Sequence, residues 1–241
     1  MNPAPDAKTE SDAEFGFEID WFGHCWKLLP ERGIYWPAED TLIVSDTHFG
    51  KDATFRASSI AVPAGPTLAT IASLDQMLEE CGASRLLILG DLFHARSSFS
   101  KETVSALDDF FARHRGLRCS VTLGNHDYRL AAQQLTALTE RWNIDCHDEL
   151  AIQGIDFLHH PKSVAQAEQA GETHWCSGHL HPAVAVGDRS DRLGKLACFW
   201  SYGRQFVLPA VGHFTGSHRV QPKRQDGVWV IADGEVLRLP Q

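Results

Sequence analysis

The chain has no C-x-x-C pair among its six cysteines (25, 81, 119, 146, 176 and 198). That absence excludes a zinc knuckle and a disulfide-framed scaffold, and leaves the thiols as reduced, mostly buried residues. No apolar run approaches the ~20 residues that a membrane helix needs, so no membrane partner is expected. The P-loop spacing G-x-x-x-x-G-K-[ST] is missing, which argues against nucleotide-driven work. A nucleophile elbow around serine is missing as well. The acidic, polar N-terminus resembles neither a secretory signal nor a transit peptide, and a cytoplasmic location is the expectation. No internal repeat or low-complexity tract interrupts the body of the chain.

With 241 residues, 43% of them hydrophobic, the chain can bury a sizeable core as one large domain or two small ones. Its formal charge of −9 is unevenly spread. Asp6, Glu10, Asp12, Glu14, Glu18 and Asp20 against Lys8 put −5 into residues 1–20, leaving −4 for the rest. Between 189 and 224 the balance reverses: Arg189, Arg192, Lys195, Arg204, Arg219, Lys223 and Arg224 face Asp191 alone. This stretch is either a solvated face or a track for an anionic substrate. Phe199, Trp200, Tyr202 and Phe214 lie within it, as stacking groups for nucleic acid or as core.

Residues 1–14 lack periodicity and are expected to be a disordered acidic tail, with one domain over 15–241. Residues 15–36 read as an edge strand or two. Apolar runs follow at TLIVS (41–45), RLLILG (85–90), CSVTLG (119–124), IDFLH (155–159) and THWCSG (173–178). Helical spacing marks PTLATIASLDQMLEEC (66–81), stopped by Gly82, and SKETVSALDDFFARH (100–114), with Ser100 as N-cap. Strand–helix alternation implies a parallel or mixed sheet. After 150, a hairpin in LAIQGIDFL and the runs AVAV, LACFWS, FVLP, VWVIA and EVLRL point to a second sheet packed on the first.

Each of the five apolar runs ends in metal-type ligands: Asp46 and His48; Asp91, then His94; Asn125, His126 and Asp127; His159 and His160; His179 and His181. Ligands of an open α/β sheet collect beyond the carboxyl ends of its strands, so these residues converge on one rim if the strands are neighbours. Buried charges there would be costly unless paired or bound to metal. Carboxylate, imidazole and amide oxygen suit Mn²⁺, Zn²⁺ or Fe²⁺. They are too many for one tetrahedral ion and fit two ions that share a carboxylate and clamp a phosphoryl group.

The order D-x-H, G-D-x-x-H, G-N-H-D, H and G-H-x-H resembles the calcineurin-like metallophosphoesterase superfamily. That resemblance implies an α/β fold, a four-layer αββα sandwich of two mixed sheets flanked by helices. It further implies two divalent ions, Mn²⁺ first, with Zn²⁺, Fe²⁺ or Mg²⁺ as alternatives. Asp46, His48, Asp91 and His181 would surround one; Asp91, Asn125, His159 and His179 would surround the other, with Asp91 bridging. Hydroxide between the ions would attack phosphorus, and His126 would contact the phosphate and protonate the leaving group. His159 is nearer the strand end than His160 and matches an H-x-P pattern, but its neighbour remains an alternative ligand. His94 departs from the superfamily's broader G-D-x-x-D/E and is read as a supporting or substrate group. Asp127 is read as orienting His126 or a loop. Lys51 and Arg56, on the loop leaving the rim, and Arg204 are candidate phosphate contacts.

HFGKDATFRASSIAVPAG, SGHLHPAV and FVLPAVGHFTG are similar to a narrower group, the bacterial ligase-associated DNA damage response endonucleases. The implied function is a phosphodiesterase cutting DNA in repair. A small-molecule phosphatase or nucleotide pyrophosphate hydrolase on the same two metals is the alternative. A non-catalytic scaffold is disfavoured because no ligand position is substituted. A ligase or helicase partner follows from the group's name alone.

Overall fold

The computed structural model describes residues 15–62, 65–130, 132–169, 171–187 and 192–240, so the expected tail over 1–14 lies outside them. Strands β1 (Phe17–Trp21), β2 (His24–Leu28), β3 (Ile34–Trp36) and β4 (Thr41–Ser45) form an antiparallel meander. Parallel to β4, and in sequence order, lie β5 (Arg85–Leu89), β6 (Arg118–Thr122) and β7 (Ile144–His147), completing a seven-stranded mixed sheet. The parallel strands are joined by helices: α1 (Lys51–Ala57) and α2 (Pro66–Cys81), then α3 (Lys101–Arg113), then α4 (Ala132–Trp142).

The second sheet begins with the hairpin β8 (Leu150–Ile152) and β9 (Ile155–Leu158), followed by α5 (Val164–Gln169) and β10 (His174–Ser177). It continues through β11 (Pro182–Gly187), β12 (Arg192–Tyr202), β13 (Gln205–Val207), β14 (His218–Arg219), β15 (Gly227–Ala232) and β16 (Glu235–Arg238). The spatial order is β14-β11-β12-β13-β10-β9-β8, with β15 and β16 paired beside β12.

Period-two alternation explains why β4 and β5 are apolar on both faces. Leu42, Val44, Leu86 and Ile88 pack outward on Ile71, Leu74 and Met77 of α2 and Leu107 and Phe110 of α3. Ile43, Leu87 and Leu89 point inward against Phe157, Phe199 and Phe206 of the second sheet. The outer face of that sheet is covered thinly: among the described residues, Val184, Cys198, Trp200, Val228 and Val230 meet Ala167 and Val164 of α5. The sandwich is therefore four-layered with its last layer reduced to one short helix.

Gly82, at φ 64°, ends α2, and the Ser100 hydroxyl accepts the Thr103 N–H at the start of α3. One expectation is corrected, and of the two readings open for the aromatic set the core one holds for three residues. Residues 51–57 form a helix, not a loop: Gly50 turns the chain at φ 71°, and Asp52 binds Arg56 one turn on (2.9 Å) and the Thr67 hydroxyl (2.7 Å). Phe199, Trp200 and Tyr202 are buried, because β12 is covered on both faces; only Phe214 of that aromatic set is exposed. No helix of the described residues is long and apolar enough to cross a membrane.

Candidate metal centre

Beyond the carboxyl ends of β4, β5 and β6 stand Asp46 and His48, Asp91, and Asn125 with His126; β9 and β10 bring His159 and His179 from the facing sheet. The parallel ladder runs on past the strands. Asp46 N–H donates to Gly90 O (3.2 Å), His48 N–H to Asp91 O (2.9 Å) and Phe49 N–H to Leu92 O (2.9 Å). Asp46 (φ 53°), His48 (45°), Asp91 (50°), His179 (67°) and His181 (47°) all adopt left-handed backbone, a strained state that persists only where the surroundings impose it. The motif glycines make room: a Cβ on Gly90 would enter the His159 ring, and one on Gly178 would press the Asp46 carboxylate and lie 2.6 Å from Ser45 Cβ.

Asp91 occupies the middle. Its Oδ1 accepts the His126 N–H (2.9 Å) and lies 3.5 Å from His159 Nε2. Its Oδ2 lies 3.7 Å from His48 Nε2 and 3.9 Å from His126 Nε2. Asp46 Oδ2 accepts the His179 N–H (2.9 Å), and its Oδ1 is 3.2 Å from His181 Nε2. His159 Nε2 also sits 3.2 Å from Asn125 Oδ1 and 3.0 Å from His179 Nδ1. Such separations are those of ligands that share an ion at roughly 2.1 Å from each.

The imidazoles are locked for this purpose. His126, His159 and His181 each donate the Nδ1 proton to a backbone carbonyl, of His94 (2.6 Å), Leu89 (3.0 Å) and Gly216 (2.9 Å) respectively. That bond fixes the tautomer and turns a bare Nε2 toward the centre, the usual second contact of a metal-binding histidine. His48 lacks the lock, its Nδ1 being buried without a hydrogen bond. Residue groups able to hold an ion are Asp46–Asp91–His159, Asp46–His48–His181, His159–His160–His179 and His48–His94–His126. The donor set is hard-to-borderline and anionic at its middle, and it fits divalent cations.

Electrostatics agree. Burial alone would raise the Asp46 carboxyl, but His181, His159 and His48 hold it well below the usual range. Burial pushes Asp91 up, although His159 and the His126 N–H oppose it. Burial drives His48 down to about 2, and His94 and His179 to about 4, so these rings are neutral lone-pair donors near pH 7.

Of the histidine pair, His159 is buried against Asp91 and Asn125, whereas His160 is exposed with its ring 4.2 Å from that of His179. Asp127 faces away from the ligands: its oxygens accept N–H groups of Leu92 (3.2 Å), Phe93 (3.2 Å) and Gly124 (3.0 Å). His94 stacks on His126 at 4.6 Å. Lys51 is half-buried; burial pulls its ammonium below the ordinary lysine value while Asp91 and Asp46 push back. Arg56 is engaged by Asp52, at the exposed side of α1. Arg204 is not brought to the centre. It sits at the opposite end of β10 from His179, with its guanidinium 2.8 Å from His174 Nε2. The basic stretch is partly consumed locally, Lys195 by Ser217 O (3.0 Å) and Lys223 by Glu168 (2.9 Å); Arg189 and Asp191 lie outside the described residues. The carbonyls of Leu89, His94 and Gly216 have no side-chain signal and could not be found from sequence.

The model of the calcineurin-like phosphoesterase family matches residues 40–179, more than half of the chain. The chain belongs to that family. It is a metal-dependent phosphoesterase, a hydrolase. The structure of the nuclease MPE of Pseudomonas putida superposes on this phosphoesterase with a TM-score of 0.74 at 28% identity, covering 92% of this chain and 99% of that one. Two more distant structures are the phosphoesterase YfcE of E. coli (TM-score 0.41, 14% identity, 83% and 97% covered) and AQ665 of Aquifex aeolicus, of unknown function (0.40, 18%, 64% and 82%). No curated protein matches the chain.

Proposed function

We propose that this phosphoesterase hydrolyses phosphodiester bonds, those of DNA among them, at a centre of two divalent ions. The observation that carries the reading is Asp91, whose two oxygens face different imidazoles, His159 on one side and His48 on the other. In this assignment Asp46, His48, Asp91 and His181 hold one ion, and Asp91, Asn125, His159 and His179 hold the second. When bound, the pair neutralises phosphate oxygens and lowers the pKa of water toward neutrality.

The chain's own groups do the rest. His126 is turned inward by its Nδ1–H bond to His94 O, so Nε2 is the atom that meets the phosphate. As imidazolium it carries a proton there for the leaving oxygen. Asp127 holds the His126 loop against the loop after β5, and Lys51 adds positive charge at the rim. The nuclease relative, alike over nearly the whole chain, supports a nucleic-acid substrate. Manganese as the native metal, a role in DNA repair and a cytoplasmic site of action belong to the same proposal.

Asp91→Ala or His179→Ala is expected to remove hydrolysis of bis(p-nitrophenyl) phosphate while circular dichroism stays native. Full activity in either variant would sink the two-metal assignment. The parent protein, assayed with Mn²⁺, Zn²⁺ and Mg²⁺, should hydrolyse the diester faster than p-nitrophenyl phosphate; a strong monoester preference would favour a small-molecule phosphatase.

A further inference from the structure

A file of four rings connects solvent to the metal centre. His126 stacks on His94 with centroids 4.6 Å apart and 26° between planes. His94 in turn lies nearly parallel to Phe55 of α1, at 6.1 Å and 14°. Phe55 meets Phe214 edge to face, at 5.5 Å and 84°. Phe214 is 37% exposed and ends the file at the surface.

The outer end is tied to the site. Within the loop that bears Phe214, Gly212 N–H donates to Asp46 O (3.2 Å), the Thr215 hydroxyl to Gly212 O (2.6 Å), and Gly216 O accepts from His181 (2.9 Å). The loop bearing Phe214 is thus held by two of the candidate ligands themselves, Asp46 and His181. Lys51 and Arg56 lie on the same helix α1 as Phe55, Arg56 in an ion pair with Asp52 (2.9 Å). His94 Nδ1 is buried without a hydrogen bond, so stacking between Phe55 and His126 orients that ring.

An aromatic surface continuous with a phosphoester centre and sharing a helix with cations matches the two halves of a nucleotide. We propose that Phe214 and Phe55 form a stacking platform for an unpaired nucleobase next to the phosphate held at the metal centre. The platform rests on the phosphodiesterase reading above and adds to it where the base goes. A base inside a duplex has both faces covered and cannot use such a surface. Stacking of one base on an aromatic side chain contributes roughly 1–3 kcal/mol, which corresponds to roughly 5- to 150-fold in affinity.

The test compares an oligothymidylate with an oligomer of abasic deoxyribose phosphates of equal length. Binding is read by fluorescence anisotropy on metal-free protein, and cleavage with Mn²⁺. The parent protein should prefer thymidylate in both readouts by about tenfold or more. In Phe214→Ala that ratio should fall toward one, and Phe214→Trp should restore it; urea unfolding checks that each variant folds. A ratio unchanged in Phe214→Ala, or a parent protein indifferent to bases, overturns the platform and leaves the phosphodiesterase reading standing. A parent protein that binds and cuts neither oligomer, yet hydrolyses bis(p-nitrophenyl) phosphate, overturns the nucleic-acid substrate and the platform together.

Discussion

Asp127 offers the sharpest test of how the centre is built. If it were a metal ligand, its loss would matter only in the loaded protein. The structure instead spends its carboxylate on three backbone N–H groups, of Leu92, Phe93 and Gly124, which join the loop carrying His126 to the loop behind Asp91. Asp127 is 1% exposed, so Asp127→Ala leaves three buried donors without partners. At roughly 1 kcal/mol or more for each orphaned donor, the metal-free protein should lose about 3 kcal/mol. At 2–4 °C per kcal/mol for a chain of this size, Tm should drop by about 6–12 °C. Asp127→Asn keeps one acceptor oxygen and turns an amide N–H toward a backbone donor, and should fall between parent and Ala. The assay is urea and thermal unfolding at pH 7.5 with a chelator present, followed by tryptophan fluorescence. A loss below about 1 kcal/mol, or one that emerges only after metal is added, would refute the tie and make Asp127 a ligand.

Metal-free stability should decline as pH falls from about 6.5 toward 4. His48, depressed to about 2, and His94 and His179, depressed to about 4, stay neutral in the fold while the same residues protonate in the unfolded chain. Asp127, pushed up to about 6 by burial, Asp91 and Glu31, also raised by burial, and His181, raised by Asp46 against its own burial, act in the opposite direction; His160, His174 and His213, each lowered by burial, join the first set and keep it the larger. Urea midpoints at pH 8, 6 and 5 measure the balance; a flat profile contradicts it. Gly178→Ala sets a Cβ against Asp46 and Ser45, and should weaken Mn²⁺ binding on the order of 10- to 100-fold with the secondary structure intact. Unaltered affinity by metal titration would show that the loop yields to the methyl group.

Much of the framework was legible because its elements have strong periods. The stripe Thr67, Thr70, Ile71, Leu74, Met77 and Leu78 marks α2, and Ser100 announces α3. Strand ends followed by Asp, His or Asn point to one rim, and those side chains share it except Asp127, whose carboxylate turns to the backbone. Helix α1 was not legible: seven residues carry too little pattern, and its order comes from Thr67, distant in sequence, gripping Asp52. Strand β7 (IDCH) was missed because only Ile144 is buried, and its place is set by pairing with β6. The run LACFWS was legible as a strand but its burial was not, because Phe199 packs inward while Trp200 and Tyr202 pack outward; a strand covered on both faces looks, in sequence, like one exposed on either. Arg204 was misplaced because charge counting carries no information about which end of a strand a residue occupies.

The ladder that continues past β4 into Asp46, His48 and Phe49 has a consequence for timescale. Loops outside regular strands ordinarily open by small local fluctuations, and their amides exchange with solvent quickly. Here the amides of Asp46, His48 and Phe49 are bonded to Gly90, Asp91 and Leu92 as if still within the sheet. Their release requires parting two central strands, so their hydrogen exchange should be as slow as that of Ile43 or Leu87. The floor of the centre then moves only when the whole domain does, and whatever adapts to an arriving substrate must belong to the walls.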